Sequence, residues 1–350
     1  MMNPDQNQQK KKTEVRDRIF VGTAPFCEDN QFPLEMLRAH GISYQVNPLQ
    51  RKLTENELME MAVGAEAIIA GTEPITRRVM EKCPRLKHIS RVGVGLDSVD
   101  LQEAKKRGIS VSYTPDAPAP AVAELTVGLM ISLLRKTGQA NLLMHQGKWQ
   151  RFMGRRLSDI TLGLIGVGRI GGRVLRRLRG FGSPRVLVND LLADQSLSRS
   201  IPELKLEWVS KELIFQQADL ISLHVPLTLK TKGMVGSKEF AAMKSDALII
   251  NTSRGGVVDE DALFQALQAE KIGGAAIDVF EKEPYDGPLK DVPNCLLTSH
   301  MGSMSQDCRT RMEIEATEEA IRFLLGKELL SPVPQEEFEL QREFGSECLT

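Results

Sequence analysis

From Arg18 onward, short runs of apolar, β-favouring residues alternate with stretches of helical periodicity, the pattern of parallel α/β architecture. In the first third, the runs Ile19–Thr23, Ser43–Asn47, Ala67–Ala70, His88–Arg91 and Ser110–Tyr113 stop at turn residues such as Gly71, Gly93 or Pro115. They predict a five-stranded unit. A Pro/Ala-rich stretch, TPDAPAPAVAEL, then opens a long helical pattern from about Ala121 to Gln146, read as a crossover between two units. Six further runs follow it: Ile160–Gly166, Arg185–Asp190, Asp219–Pro226, Ala247–Thr252, Ala275–Phe280 and Cys295–Ser299. Six strands suffice for a doubly wound sheet. The last helical pattern, Asp307–Leu325, has no strand left to pair with, and packing back onto the first unit would make that unit discontinuous. The predicted division is a disordered tail over 1–16, a first domain over 17–117 plus 307–333, a second over 118–306, and a C-terminal tail over 334–350.

Composition narrows the function classes. A length of 350 residues suits about two domains, and 41% hydrophobic residues give each a core. With 45 basic against 46 acidic residues the formal net charge is −1, so nothing draws the chain to nucleic acid or to an anionic membrane. Cys27, Cys83, Cys295, Cys308 and Cys348 are scattered without a C-x-x-C pair, which argues against a disulfide framework or a metal site and fits a reducing cytoplasm. The opening MMNPDQNQQKKKTEVR lacks the apolar core of a signal peptide. The longest uncharged apolar stretch, Leu125–Leu134, falls short of the roughly 18–20 residues that cross a bilayer. A small-molecule partner is the expectation.

The segment Gly166-Val167-Gly168-Arg169-Ile170-Gly171 has the form G-x-G-x-x-G, a match that chance alone supplies in about one chain in six at this glycine content. Context raises its value. The apolar run ITLGLIG leads directly into the first glycine, and a helical face at Ile170, Val174, Leu178 and Phe181 follows. Glycines let the chain turn tightly, approach a pyrophosphate and pack the new helix against the strand, and the N-terminus of that helix then faces the phosphates. The next strand ends in Asp190, 19 residues past Gly171, where a carboxylate accepts hydrogen bonds from the adenosine ribose. A 2′-phosphate would be repelled there, and Leu191 and Leu192 offer no cation, so NAD is predicted over NADP.

In an open parallel sheet ligands bind at the carboxyl ends of the strands. Four runs end in candidates: His224 in SLHVP, Arg254 in INTSRGG, Asp278 in AAIDVF and His300 in TSHMGS, with Glu283 shortly after Asp278. Each alone reads as an ordinary polar residue. Together an Arg, a Glu and a His suit reversible hydride transfer on a 2-hydroxy acid. Arg254 would fork onto a carboxylate or carbonyl oxygen, His300 would exchange a proton with the substrate oxygen, and Glu283 would hold the ring and stabilise the imidazolium.

The motifs VGVGLDSVD, AVAEL, GLIGVGRIGG, LHVPLT, INTSRGGVVDEDAL, DVFEKEP and SHMGS, in this order from about Arg18 to Lys327, resemble the D-isomer-specific 2-hydroxyacid dehydrogenases, phosphoglycerate dehydrogenases in particular. The resemblance implies two doubly wound parallel-sheet domains, a flavodoxin-like substrate domain and a Rossmann domain that binds NAD. It implies Arg254, Glu283 and His300 as catalytic triad. Cofactor contacts are implied for Gly166, Gly168, Arg169, Ile170 and Gly171 in the turn, for Asp190, and for His224, Val225 and Pro226 at one strand end. Thr252, Ser253 and Gly302 join them, and Asp278 would face the nicotinamide carboxamide. Val92, Gly93, Val94 and Gly95 resemble the segment whose backbone N–H groups take the substrate carboxylate, with Arg254 sharing the substrate.

Departures accompany the resemblance. Ser98 and Pro118 stand where many members carry Asn. Phosphoglycerate dehydrogenases commonly end a first-domain strand in an Arg that contacts the phosphate, whereas Ala70 or Gly71 stands here, and Arg77 and Arg78 a few residues on read more simply as a solvated helix face. The chain ends near the end of the catalytic core, so no appended regulatory domain is expected. Glu283, where formate dehydrogenases carry Gln, argues against that activity. The segment AVAELTVGLMISLLRKTGQANLLMHQGKW resembles the helix on which members dimerise, and a homodimer is expected. The predicted function is hydride transfer between NAD(H) and a small D-2-hydroxy or 2-oxo acid, phosphoglycerate dehydrogenase-like. The alternatives are a glyoxylate or hydroxypyruvate reductase, or a non-catalytic NADH-sensing binding protein like the corepressors of this family.

Overall fold

The structure is a computed structural model and describes residues 18–182, 184–193 and 195–344; the tail predicted over 1–16 lies outside the described residues. The chain divides into two compact units. One runs to Thr114 and resumes over Glu313–Phe338, while Pro115–Met312 form the body of the other. The helix Gln306–Leu324 therefore begins in the second unit and ends in the first.

In the first unit, β1 (Ile19–Val21), β2 (Tyr44–Val46), β3 (Ala67–Ala70), β4 (His88–Arg91) and β5 (Ser110–Ser112) pair in parallel in the order β2-β1-β3-β4-β5, the flavodoxin-like arrangement. Helix Gln306–Leu324 covers part of this sheet. Ser90 Oγ donates to the Ala316 carbonyl at 2.7 Å, and Glu313 Oε2 accepts from the Cys27 amide at 2.9 Å. The His88 ring stacks on Phe323 with centroids 4.8 Å apart. Past this helix the chain runs along β5, with the Tyr113 amide donating to Ser331 and the Val333 amide to Val111. Within the segment predicted as a tail, Gln335–Phe344 form a helix. Its polar sequence hides one anchor, because Phe338 packs against the first unit's core.

In the second unit, β6 (Thr161–Ile165), β7 (Arg185–Asn189), β8 (Lys205–Trp208), β9 (Leu220–Leu223), β10 (Leu248–Asn251), β11 (Gly274–Ile277) and β12 (Cys295–Leu297) form a parallel sheet in the order β12-β11-β10-β9-β6-β7-β8. This is the doubly wound Rossmann order with one strand added beyond β11. Alternate side chains feed two cores: Ile249, Ala275 and Ile277 face one, Leu248, Ile250 and Ala276 the other.

The sheet has seven strands where six were predicted. The extra one, β8, lies at the sheet edge with Lys205 and Glu207 exposed and Leu206 and Trp208 half-buried, so it lacks the apolar run that marks an interior strand. The single helix predicted over 121–146 is two, Ala119–Arg135 and Thr137–His145, because Lys136 takes a left-handed conformation at φ +54°. Pro118 precedes the first of them, a place where a missing N–H leaves no helical bond unmade.

Burial pushes the His88 imidazole down to about 3, so the folded protein keeps it neutral between hydroxyls of Ser110 and Ser112. Between an ordinary value of 6.5 and about 3 the unfolded chain binds a proton that the folded chain does not, so stability falls as the pH drops below 6.5. Thermal unfolding at about pH 7 and about pH 4.5 is expected to show a smaller acid loss in His88→Asn than in the native protein; equal losses would contradict the assignment.

Candidate active site and dinucleotide cradle

Strand β6 delivers the chain into Gly166, whose φ of +92° lies in the left-handed region. A Cβ on Gly166 would collide with the His224 carbonyl, and one on Gly171 with the Gly166 carbonyl, so both glycines are required by close packing. Gly168 differs. It is exposed, and nothing lies within 4 Å of the place its Cβ would take. It precedes helix Arg169–Leu178, whose first amides have no intrahelical partner. Open space, unpartnered amides and a helix N-terminus together fit a pyrophosphate. Arg169 is exposed beside Asp116, and Ile170 packs into the core below.

At the end of β7, Asp190 accepts the Val167 amide on Oδ2 at 2.7 Å and the Leu191 amide on Oδ1 at 2.7 Å. Its carboxylate is therefore fixed at the rim of the glycine turn, where a ribose diol would meet it. Beyond β9, His224 Nε2 shares a proton with Ser222 Oγ at 2.9 Å, and burial pushes its pKa down to about 4. His224 Nδ1 is buried and has no hydrogen-bond partner among the described residues. Val225 is half-buried and Pro226 exposed beside it. These features fit a dinucleotide. No group of three or more potential metal ligands occurs among the described residues.

The three residues of the predicted triad follow three neighbouring strands. Arg254 follows β10, Glu283 follows β11 and His300 follows β12. Asn251, buried at the end of β10, shapes the first loop. Its Oδ1 accepts from the Ser253 amide at 3.0 Å and from Ser253 Oγ at 2.7 Å, and its Nδ2 donates to the Arg254 carbonyl at 2.8 Å. Gly255 follows because a Cβ there would strike the Phe280 carbonyl. Thr252 turns inward, its hydroxyl 2.9 Å from that of Thr126.

Glu283 faces His300 through both oxygens, at 3.0 and 2.8 Å from Nδ1, and Oε1 also accepts the Phe280 amide at 3.1 Å. Asp278, 1% exposed, is the hub of the loop that carries His300. Its Oδ1 accepts from Thr298 Oγ1 at 2.6 Å and the Met301 amide at 2.9 Å, its Oδ2 from the Gly302 amide at 2.9 Å, and its carbonyl from the His300 amide at 2.7 Å. Sequence reasoning missed Asn251 and Thr298. The only available signal was a hydrogen-bonding side chain at or just beyond the end of an apolar run.

In the first unit, Val92 and Gly93 are buried, and their amides are committed to the Ala70 carbonyl at 2.8 Å and to Thr114 Oγ1 at 2.8 Å. Val94 and Gly95 are half-buried, and their amides meet no acceptor among the described residues. The set predicted as Val92–Gly95 thus narrows to two available donors. Arg77 and Arg78 are exposed and paired with Glu81 and Glu55, as a solvated helix face would be.

A doubly wound sheet with a dinucleotide cradle and an Arg, Glu and His at its carboxyl edge defines a nicotinamide-linked dehydrogenase scaffold. The model of the D-isomer specific 2-hydroxyacid dehydrogenase NAD binding domain matches residues 127–302, and the chain belongs to that family. It is 39% identical over 280 residues to a D-3-phosphoglycerate dehydrogenase of Methanocaldococcus jannaschii, covering 79% of this chain and 53% of that one. The chain thus spans about half the length of that relative. With a glyoxylate reductase of Korarchaeum cryptofilum it shares 38% identity over 264 residues, 73% of this chain and 78% of the other. The TT0316 protein from Thermus thermophilus is similar in structure, with a TM-score of 0.81 at 33% identity over 91% of this chain and all of that one.

Glycine packing gives a direct test. Gly171→Ala is expected to lower stability by about 2 kcal/mol or more, whereas Gly168→Ala should unfold at the native temperature yet weaken NADH binding by roughly tenfold. Thermal unfolding and NADH fluorescence titration read the two effects, and equal behaviour of the two variants would refute the assigned roles.

Proposed function

We propose that this protein is an NAD-linked oxidoreductase that interconverts a small D-2-hydroxy acid and its 2-oxo acid. The observation that carries the reading is the Glu283–His300 pair at 2.8 Å on loops of the same sheet edge as Arg254 and the glycine cradle. When bound, the nicotinamide supplies or accepts the hydride. Glu283 holds the His300 ring by Nδ1, which leaves Nε2 to exchange a proton with the substrate oxygen. In reduction Nε2 gives its proton to the oxygen that becomes the hydroxyl; in oxidation it takes that proton back. Glu283 stabilises the imidazolium of the protonated state, and Arg254 contributes a permanent positive charge that orients and polarises the carbonyl. The Val94 and Gly95 amides serve the substrate carboxylate. Asp278 acts on His300 through the loop, and any contact with the nicotinamide is a further part of this proposal. Asp190 favours NAD, because a 2′-phosphate would meet its carboxylate.

The assembly belongs to the same proposal. Ile131, Leu142 and Met144 are exposed on the two helices after Pro118, and Trp149 and Met153 beyond them are 80% and 93% exposed. So many large apolar side chains within one stretch support a homodimer formed over this segment. The scattered cysteines of the sequence, without a C-x-x-C pair, favour a cytoplasmic setting. No helix among the described residues is long and apolar enough to cross a membrane.

His300→Ala is expected to reduce kcat by about 10²–10⁴ on the preferred substrate while NADH binding stays within roughly twofold. The assay is NADH oxidation at pH near 7 against glyoxylate, hydroxypyruvate, pyruvate, 2-oxoglutarate and phosphohydroxypyruvate, with NADPH alongside. Unchanged turnover would remove His300 from the mechanism, and silence of the native protein across the panel would reject the dehydrogenase reading. For the assembly, light scattering should give the mass of two chains, and Trp149→Glu with Met153→Glu should shift it toward one. A native monomer would exclude the dimer.

A further inference from the structure

Within its own loop Glu283 accepts the Phe280 amide on Oε1 at 3.1 Å, which holds the side chain to the loop. The loop itself is held at the next peptide. Gly255, directly after Arg254, lies so close to the peptide between Phe280 and Glu281 that a Cβ on it would strike the Phe280 carbonyl and stand 2.5 Å from the Glu281 nitrogen. The N–H of the same peptide is taken by a side chain, because Glu260 Oε1 accepts the Glu281 amide at 2.7 Å. One peptide is thus gripped twice by the chain that leaves β10.

Glu260 opens the helix Glu260–Gln268, whose Ala262, Leu263, Ala266 and Leu267 are buried in a core of the second unit. A side chain rooted on such a helix is placed more firmly than one rooted on a loop. The flanking acids have other roles: exposed Asp259 caps the helix by accepting the Ala262 amide at 2.9 Å, and exposed Asp261 is a further acid of the first turn. These two already supply the negative charge that a helix N-terminus favours. Glu260 is half-buried and turned onto the neighbouring loop. Burial pushes its carboxyl up, as do Glu281, Asp261 and Glu283 around it, while the Glu281 amide favours its charged form. Tyr285 is the other titratable group on which Glu260 acts. The bond to the amide asks for an acceptor oxygen and not for a charge.

We propose that Glu260 is a positioning residue for the proton-transfer pair: it holds the peptide between Phe280 and Glu281, and through it keeps the Glu283 carboxylate facing His300 beside the loop of Arg254. With that peptide released, the Phe280 amide shifts and takes Glu283 with it, and the 2.8 Å approach to His300 Nδ1 is lost. This role rests on the dehydrogenase reading above.

The test is kcat and KM for NADH-dependent reduction of glyoxylate and of hydroxypyruvate. Glu260→Ala should lower kcat by roughly tenfold with KM within about twofold, because a displaced catalytic group costs turnover more than binding. Glu260→Gln, which keeps the acceptor, should return kcat to within about twofold of native. Glu260→Asp, which keeps the acid in the first turn but is one methylene shorter, should fall as the alanine variant does. In a Glu283→Ala background, adding Glu260→Ala should cost less than about twofold, since no carboxylate remains to be positioned. Native kcat in Glu260→Ala overturns the proposal. So does an active Asp variant beside an impaired Gln variant, which would make the charge at the helix terminus the relevant feature, and so does a full second loss in the Glu283→Ala background, the mark of a merely structural role. Should Glu260→Ala not fold, Gln against Asp carries the same comparison. Any of these results with native turnover intact defeats this inference alone, whereas silence of the native protein on both acids and on the wider panel defeats the dehydrogenase reading and this inference with it.

Discussion

Parallel pairing throughout both sheets is the constraint on which the remaining features depend. Strands β9, β10 and β11 are buried along their length, so a polar side chain that must meet a ligand has room only where a strand ends. Because all strands of a parallel sheet point one way, those ends fall on one edge. Gly166, His224, Arg254 and Asp278 each follow directly, or within three residues, on a buried strand. The gathering of chemistry is thus a consequence of strand direction, and the loops need only fine positioning.

That positioning comes from buried polar side chains and not from the apolar cores. Asn251 bonds three atoms of the loop after its own strand, and Asp278 bonds the loop after the neighbouring strand. Glu73 ties the turn after β3 in the same manner in the first unit. A carboxylate so deeply buried is tolerated only when donors surround it, so the loop has one arrangement that satisfies the acid and many that do not. Each hub converts a desolvation penalty into a defined loop geometry.

Much of this was legible in the chain because it is written locally. The boundaries of β3 and β4 match the apolar runs residue for residue, and the glycine turn, Asp190 and the Arg, Glu and His lie in short motifs. What escaped was information carried across the fold. Strand β8 draws its pairing from β7 and not from its own hydropathy, and the break at Lys136 is a backbone choice that an otherwise helical sequence does not announce. The commitment of the Gly93 amide depends on Thr114, some twenty residues away. Asn251, Glu73 and His88 look like ordinary polar residues until burial shows that none of them faces water.

The loop that carries His300 shows how such long-range commitments serve chemistry. His300 has φ +51°, a left-handed conformation that costs a residue with a Cβ roughly 1 kcal/mol. Nothing in its own side chain requires this, and a glycine there would be more relaxed but could carry no proton. The conformation persists because the residues around it are held independently: the His300 amide by the Asp278 carbonyl, and the flanking Thr298, Met301 and Gly302 by the Asp278 carboxylate. With the backbone fixed from one side by Asp278 and the ring from the other by Glu283, little rotation is left to the imidazole. In the proposed mechanism the ring's remaining nitrogen is thereby held in place before substrate arrives, which is the preorganisation that proton transfer at a developing oxygen charge demands.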